Sequence, residues 1–185
     1  MNLHLVIGTP MYGGMCTSEY TQSLLNLSES ANKSDVKLTT IFLGNESLIQ
    51  RGRNTVAHHF MNLPDATHLL FIDADIKFRT EDIVKMIQAD KSLIIGPVPL
   101  KGYNWDEVRQ AAINGEDDIG RTGGVFNINR LPGIDMVDEN EPFEIEHGGN
   151  AFMMIRRDVF ETLKPHTPIY TNGGRSLPDG VEIFD

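Results

Sequence analysis

Two acidic residues two positions apart, Asp73 and Asp75, close an apolar run that extends from Thr67 to Ile72. Side chains at i and i+2 of an extended segment point the same way, so both carboxylates can converge on one point beyond a strand end. Magnesium and manganese favour such oxygen ligands and often take one or two carboxylates together with substrate phosphates. The pair therefore suggests a divalent cation completed by a diphosphate; the plainer alternative is a turn with two solvated aspartates. Arg53 adds an independent signal. It falls on the stripe formed by Ile49, Gly52, Val56 and Phe60 at helical spacing. A guanidinium there needs an anion, such as phosphate or Asp73, unless its stem packs and its head reaches water.

Other residues offer weaker chemistry. The loop Gly8 to Gly14, with Thr9, Pro10 and Tyr12, would let a nucleotide approach the backbone while Tyr12 stacks on a base. Its glycines do not match the dinucleotide pattern and no P-loop lysine follows, which disfavours both of those phosphate sites. Lys101, after Pro97-Val98-Pro99-Leu100, is a candidate to neutralise phosphate or else a surface lysine. His147-Gly148-Gly149-Asn150 precedes an apolar segment and would let a sugar lie close to the backbone, with a structural histidine as the alternative. Arg51 reads as a solvated charge, Asn54 as a ribose partner or a surface amide, and His58-His59 as helix surface. Cys16 is the single cysteine and is expected as a packed thiol.

The elements that must position these residues alternate. Strands are expected at Leu3–Ile7, Val36–Leu43, Thr67–Ile72 and Ser92–Val98. Helices are expected at Thr17–Ala31, between Asn45 and Asn62, from a Thr80 cap, and from an Asn104 cap through Ile113. Strand and helix in turn predict an α/β fold with an open, mostly parallel sheet and helices on both faces. Such sheets bind ligands at the carboxyl ends of their strands, where Gly8–Gly14 and Asp73–Asp75 would share one cleft. Regular periodicity fades from Asn114 to Glu144, which predicts loops and short strands. A strand at Phe152–Ile155 and a helix at Arg157–Leu163, with Val159, Phe160 and Leu163 inward, precede a turn-rich tail.

With 185 residues, 40% hydrophobic and 23% charged, the chain has the composition of a soluble globular domain. Its formal net charge of -10 argues against non-specific binding to nucleic acid or an anionic membrane. A lone cysteine forms no intramolecular disulfide and fits a reducing compartment. Leu3–Ile7 is too short for a signal peptide core, and no stretch approaches the roughly 20 apolar residues of a membrane span. A cytoplasmic location is expected.

Four motifs in order carry a family likeness: Thr9-Pro10 after the first strand, Arg53-Asn54 on its helix, Phe71-Ile72-Asp73-Ala74-Asp75, and the run Gly148-Gly149-Asn150-Ala151-Phe152-Met153-Met154-Ile155-Arg156-Arg157. Together they resemble GT-A glycosyltransferases, in particular the small glycosyltransferase domain of chlorella viruses, over about residues 3 to 163. The resemblance implies a Rossmann-like nucleotide-sugar-binding sheet with a short mixed-sheet region on the acceptor side. It implies one domain over 1–185, divided into a nucleotide-sugar part (1–100) and an acceptor-side part (101–185). Thr9, Pro10 and Tyr12 would contact the nucleoside, Arg53 the nucleotide or diphosphate, Asp73 with Ala74 the ribose and metal side, and Asp75 the metal. Lys101 would assist at phosphate, and Gly148, Gly149 and Asn150 would border the transferred sugar. The implied partners are Mn2+ or Mg2+, a UDP-hexose of glucose or rhamnose type, and a glycan or glycoprotein acceptor. A viral member would work in the host cytoplasm and decorate a glycan, as on a capsid protein.

Many members carry a later acidic pair or histidine near the C-terminus, whereas this chain ends at Ile183-Phe184-Asp185. Glu144, Glu146 and Asp185 are the candidates for a base, and the apolar ending suggests a domain boundary in a longer polypeptide. A retaining reaction, which leans on the donor's own phosphate, is favoured. Two other classes remain. Haloacid dehalogenase-type phosphatases also place Asp-x-Asp after a central strand, but normally the first one. A non-catalytic nucleotide-sugar or glycan-binding module would keep the cleft without turnover.

Overall fold

The computed structural model describes residues 3–117, 119–133, 141–171 and 182–184. They fold into two compact units, one comprising 1–94 with 150–185, the other 95–149. The second unit is thus an insertion in the sequence of the first.

The first unit is built on a mixed five-stranded sheet. Its opening elements are β1 (Leu3–Met11), α1 (Ser18–Asn32), β2 (Val36–Gly44), α2 (Ile49–Met61), β3 (His68–Ile72), α3 (Thr80–Gln88) and β4 (Leu93–Ile95). In the second unit follow β5 (Pro99–Tyr103), α4 (Trp105–Asn114), α5 (Ile119–Thr122), β6 (Gly124–Phe126), β7 (Ile128–Arg130) and β8 (Ile145–Gly148). The chain then returns through β9 (Phe152–Arg156), α6 (Arg157–Leu163), β10 (Ile169–Thr171) and β11 (Glu182–Phe184). The strand order of the large sheet is β2-β1-β3-β9-β4. β1 runs parallel to β2 and β3, whereas β9 runs antiparallel to β3, pairing Leu70 with Met154. The sheet is therefore mixed, where a mostly parallel one was expected. The direction of β9 is set by the long excursion through 95–149, which local periodicity does not report.

Apolar residues on both faces of β1 and β3 explain why helices cover the sheet twice. Val6, Leu69 and Phe71 pack with Val56, Ala57 and Phe60 of α2 and with Phe160 of α6. Leu5, Ile7, Leu70 and Ile72 alternate to the other face and are fully buried there. On the α1 side, Tyr20 meets Phe78 edge-on at 6.0 Å between centroids, and Phe78 meets Phe152 at 5.9 Å.

Several local expectations change. Thr80 is the first helical residue of α3, not its cap; Arg79 precedes it and holds Asp82 through two hydrogen bonds of 3.1 and 2.7 Å. Leu163, expected inward, is exposed as the last residue of α6. Cys16 is exposed as well, its thiol 3.3 Å from the Thr21 hydroxyl, so it is not a packed thiol. The expected strand at Ser92–Val98 shortens to β4, because Pro97 and Pro99 interrupt it. In the second unit β5 pairs β6 and β7 pairs β8, each as an antiparallel ribbon. Asp185 lies outside the described residues.

Candidate functional site

The site in the first unit starts with a close approach between α2 and β1. A side chain at Gly8 would collide with Val56, so glycine there lets the helix lie directly on the strand. Gly52, buried on the same helix face, has Leu43 and Pro10 as neighbours. This packing fixes the phase of α2, with Gly52, Val56 and Phe60 buried as the pattern predicts. Ile49 departs from it and is exposed. Arg53 is carried inward with the stripe: its side chain is 14% exposed.

The parallel register aligns Gly8 of β1 with Phe71 of β3, each two residues before Pro10 and Asp73 respectively. Both expected strand ends therefore reach one edge of the sheet. The turn at that edge is held from three sides. The Asp73 amide donates to the Ala151 carbonyl at 2.9 Å, and the Ile76 amide to the Asp73 carbonyl at 3.1 Å. From α1, the Thr17 amide donates to the Ala74 carbonyl at 2.9 Å, with the Thr17 hydroxyl 3.4 Å from the same oxygen. Thr17 also accepts from the Tyr20 amide as the cap of α1, so one residue locks both the helix and the turn.

Arg53 Nη2 donates to Asp73 Oδ1 at 2.8 Å. Burial pushes the Asp73 carboxyl above the ordinary aspartate range, the Arg53 charge pulls against this, and Asp75 adds to the rise. Asp75 itself is exposed. The Arg53 Nε–H is buried with no hydrogen-bond acceptor. An orphaned guanidinium donor beside a carboxylate whose charge burial disfavours is a strained arrangement. An anion facing Arg53 and a cation facing Asp73 would relieve both halves of it.

These residues fit a divalent cation as two ligands of an incomplete set. Asp73 Oδ2 and the Asp75 carboxylate would hold it, since Asp73 Oδ1 is engaged by Arg53. Among the described residues there is no group of three or more His, Cys, Asp or Glu able to hold a metal. Water and phosphate would have to supply the remaining ligands, as is usual for magnesium.

The other expected residues fall differently. Thr9 is completely buried and its hydroxyl lies 2.6 Å from that of Tyr20, so its side chain is part of the core and does not reach a nucleoside. Pro10 is half-buried; Tyr12 is 80% exposed at the loop. Asn150 is exposed in the first unit, one residue before the carbonyl that fixes Asp73. Lys101, Glu146, Gly148 and Gly149 belong to the second unit. Glu144 and Glu146 are exposed, with Glu146 at 4.0 Å from the exposed His147. Gly148 and Gly149 have packing reasons of their own: a Cβ would meet Ile145 and Ile95 at 2.8 Å from the first, and would strike the Asn127 amide from the second. Arg51, read as a solvated charge, instead forms a fork with Glu46, two bonds of 2.6 Å each.

Thr17 and Ala151 are the positioning residues that sequence reasoning missed. A threonine just before a helical pattern was visible as a capping signal; its second bond to Ala74 spans 57 positions and has no local trace. A groove of about 760 Å³ runs along α1 and the start of α3, lined by Ser18, Gln22, Asn26, Lys33, Lys77 and Arg79 among others. Arg53, Asp73 and Asp75 do not line it. Among the described residues no helix is long and apolar enough to cross a membrane.

No protein-family model matches the chain, and no curated protein matches it. Among solved structures, the crystal structure of A197 from STIV is similar, with a TM-score of 0.49 and 17% identity, over 86% of this chain and 67% of that one.

Proposed function

We propose that this chain is a metal-dependent glycosyltransferase of GT-A type that moves a hexose from a UDP-sugar to a glycan acceptor. One observation carries the reading: at the shared carboxyl edge of β1 and β3, Arg53 pairs with Asp73 while its buried Nε–H stays without an acceptor, and Asp75 stands two residues on. A diphosphate with its cation offers the acceptor that the Arg53 Nε–H lacks and a positive charge facing the half-buried Asp73 carboxylate.

In this mechanism Asp73 and Asp75 would hold Mn2+ or Mg2+, which would supply Lewis-acid stabilisation of the departing diphosphate. Arg53 directs its free donor to a phosphate oxygen and so counters charge as the glycosidic bond breaks. Its pairing with Asp73 keeps the guanidinium in one orientation beforehand, so little reorganisation is needed during reaction. Thr17 and the Ala151 carbonyl keep the aspartate turn in place. Pro10 and Tyr12 border the nucleoside, and Asn150, on the same unit, borders the sugar. Among the described candidate bases, Glu144 and Glu146, both are exposed, and neither is the buried carboxylate an inverting step would use. A retaining course, in which the leaving phosphate receives the acceptor proton, fits that placement.

Ligand-dependent melting tests the reading, because a ligand that binds only the native state raises its stability by mass action. UDP and UDP-hexoses with Mn2+ should raise the melting temperature, and neither UDP nor Mn2+ alone should do so to the same extent. A chain indifferent to every nucleotide in the presence of metal is not a nucleotide-sugar enzyme. Binding without UDP release to any acceptor would leave a binding module, and hydrolysis of a generic phosphomonoester would favour the phosphatase class.

A further inference from the structure

The second unit displays an aromatic pair that its own packing does not use. Tyr103 ends β5 and Trp105 opens α4; their ring centroids lie 5.7 Å apart with planes inclined by 38°. Tyr103 is 57% exposed and Trp105, the sole tryptophan of the chain, 69%. Tryptophan is highly buried on average, so a tryptophan this open beside a second open ring needs a reason.

The corner that presents the two rings is firmly built. Asn104, between them, donates its amide to the Gly123 carbonyl at 3.0 Å and caps α4 by accepting from the Glu107 amide at 3.4 Å. Tyr103 pairs across the ribbon with Gly124. A Cβ at Gly123 would strike Val108 and crowd the Tyr103 ring, so the glycine keeps strand, cap and ring together. The rings are therefore held in place before any ligand arrives, which lowers the entropy cost of binding.

We infer that Tyr103 and Trp105 form a stacking surface for a neutral oligosaccharide, the class of acceptor that the transferase reading requires but does not specify. The inference rests on that reading for its role in turnover. Aromatic faces carry negative charge density. The weakly positive C–H groups on one face of a pyranose ring match them, while the Tyr103 hydroxyl and Trp105 indole N–H offer bonds to sugar hydroxyls. The charges within four residues of Trp105 in the sequence balance, Lys101 and Arg109 against Asp106 and Glu107, with Arg109 and Asp106 paired at 3.1 Å. Such a rim attracts neither an anion nor a cation and suits an uncharged, hydroxyl-rich ligand.

Size separates this occupant from a protein. Two rings exposed to this degree offer roughly 250 Å², far below the roughly 800 Å² that each partner contributes to a stable interface. Leu100 and Phe126 are also exposed, but Phe126 pairs with Pro99, about 13 Å along the ribbon from Tyr103. The net charge of -10 opposes an anionic membrane surface.

Because Trp105 is the only tryptophan, its fluorescence reports this surface directly in the intact chain. An array of neutral oligosaccharides identifies a binder, and titrating it should shift Trp105 emission to the blue in a saturable way. Tyr103→Ala should weaken that binding about tenfold, Tyr103→Phe should retain most of it, and Trp105→Ala should abolish capture on the array. The melting shift with UDP and Mn2+ should be unchanged in all three variants. Absence of binding to every neutral glycan, an emission shift with phosphatidylcholine vesicles instead, or sugar binding unaffected by Trp105→Ala each overturns the inference. Loss of the UDP and Mn2+ response in the unmodified chain, with sugar binding intact, would overturn the transferase reading and leave this surface standing.

Discussion

Helix α2 meets an arginine at each end, and the two guanidinium groups are used in opposite ways. At its C-terminal end Arg157, from α6, donates to the carbonyls of Met61, Leu63 and Ala66 at 3.0, 2.9 and 3.3 Å and to Glu161 at 2.8 Å. Its guanidinium also lies 5.6 Å from the Phe60 ring centre. That arginine is a clasp: it caps the Met61 carbonyl at the helix end, where a cation is also favoured by the helix dipole, and ties down the Leu63 and Ala66 carbonyls of the turn that follows. Near the other end, Arg53 has Asp73 and a buried Nε–H with nothing to bond. An arginine with four of its five donors engaged stabilises the fold it sits in. One with a spare buried donor keeps binding capacity in reserve, and the difference lies in the count of acceptors, not in charge or burial.

The sharpest way to break this contrast is at the reserved end. Asp75→Asn should lower metal-dependent sugar transfer by at least about a hundredfold while the exposed position leaves the urea midpoint nearly unmoved. Comparable turnover in the variant would remove the cation from Asp75. Next in size, Arg157→Ala should destabilise the fold by about 3 kcal/mol through its lost carbonyl bonds and ring contact, read as a lower urea midpoint, with nucleotide affinity per folded molecule preserved. Arg53→Lys should do the reverse. The ammonium keeps a charge near Asp73 but loses the planar fork, so nucleotide affinity should fall about tenfold with a stability change under about 1 kcal/mol. Equal effects of the two arginine variants on binding and stability would erase the distinction.

The smallest effect is in pH. Because burial, opposed by Arg53, holds the Asp73 carboxyl above its ordinary 3.8, a cation that needs the carboxylate should be lost on acidification earlier than an ordinary aspartate allows. The sign for folding is opposite. A raised carboxyl contributes stability below 3.8 that disappears as pH climbs through its raised value, whereas Asp158 and Glu46, held low by Arg156 and Arg51, contribute at higher pH and lose it on acidification. Manganese titrations at stepped pH should therefore show affinity failing while the fold still holds. Coincident loss of both would assign the acid response to global unfolding.

Sequence reasoning reached the reserved arginine and not the clasp. Arg53 was legible because an arginine on an apolar stripe conflicts with its surroundings, and the i, i+2 spacing placed the aspartates after a strand. Arg157 opens a helix, a position in which arginine raises no conflict, and its acceptors lie more than 90 positions earlier. The helix Arg157–Leu163 was read to the residue because Phe160 anchors it locally. Thr9 was misread for the converse reason: a hydroxyl at a strand end looks available until Tyr20 arrives from α1 to pair with it. Strand direction was lost where β9 joins the sheet, since antiparallel pairing with β3 depends on a path of more than fifty residues that no local pattern encodes.

That path leaves from β4 and comes back on β9, its immediate neighbour in the sheet. Adjacent strands lie about 4.8 Å apart, so a short connector could bridge the gap with little loop-closure entropy. Residues 95–149 thus leave and re-enter the sheet on neighbouring strands, while Arg53, Asp73 and Asp75 all belong to the unit that carries that sheet.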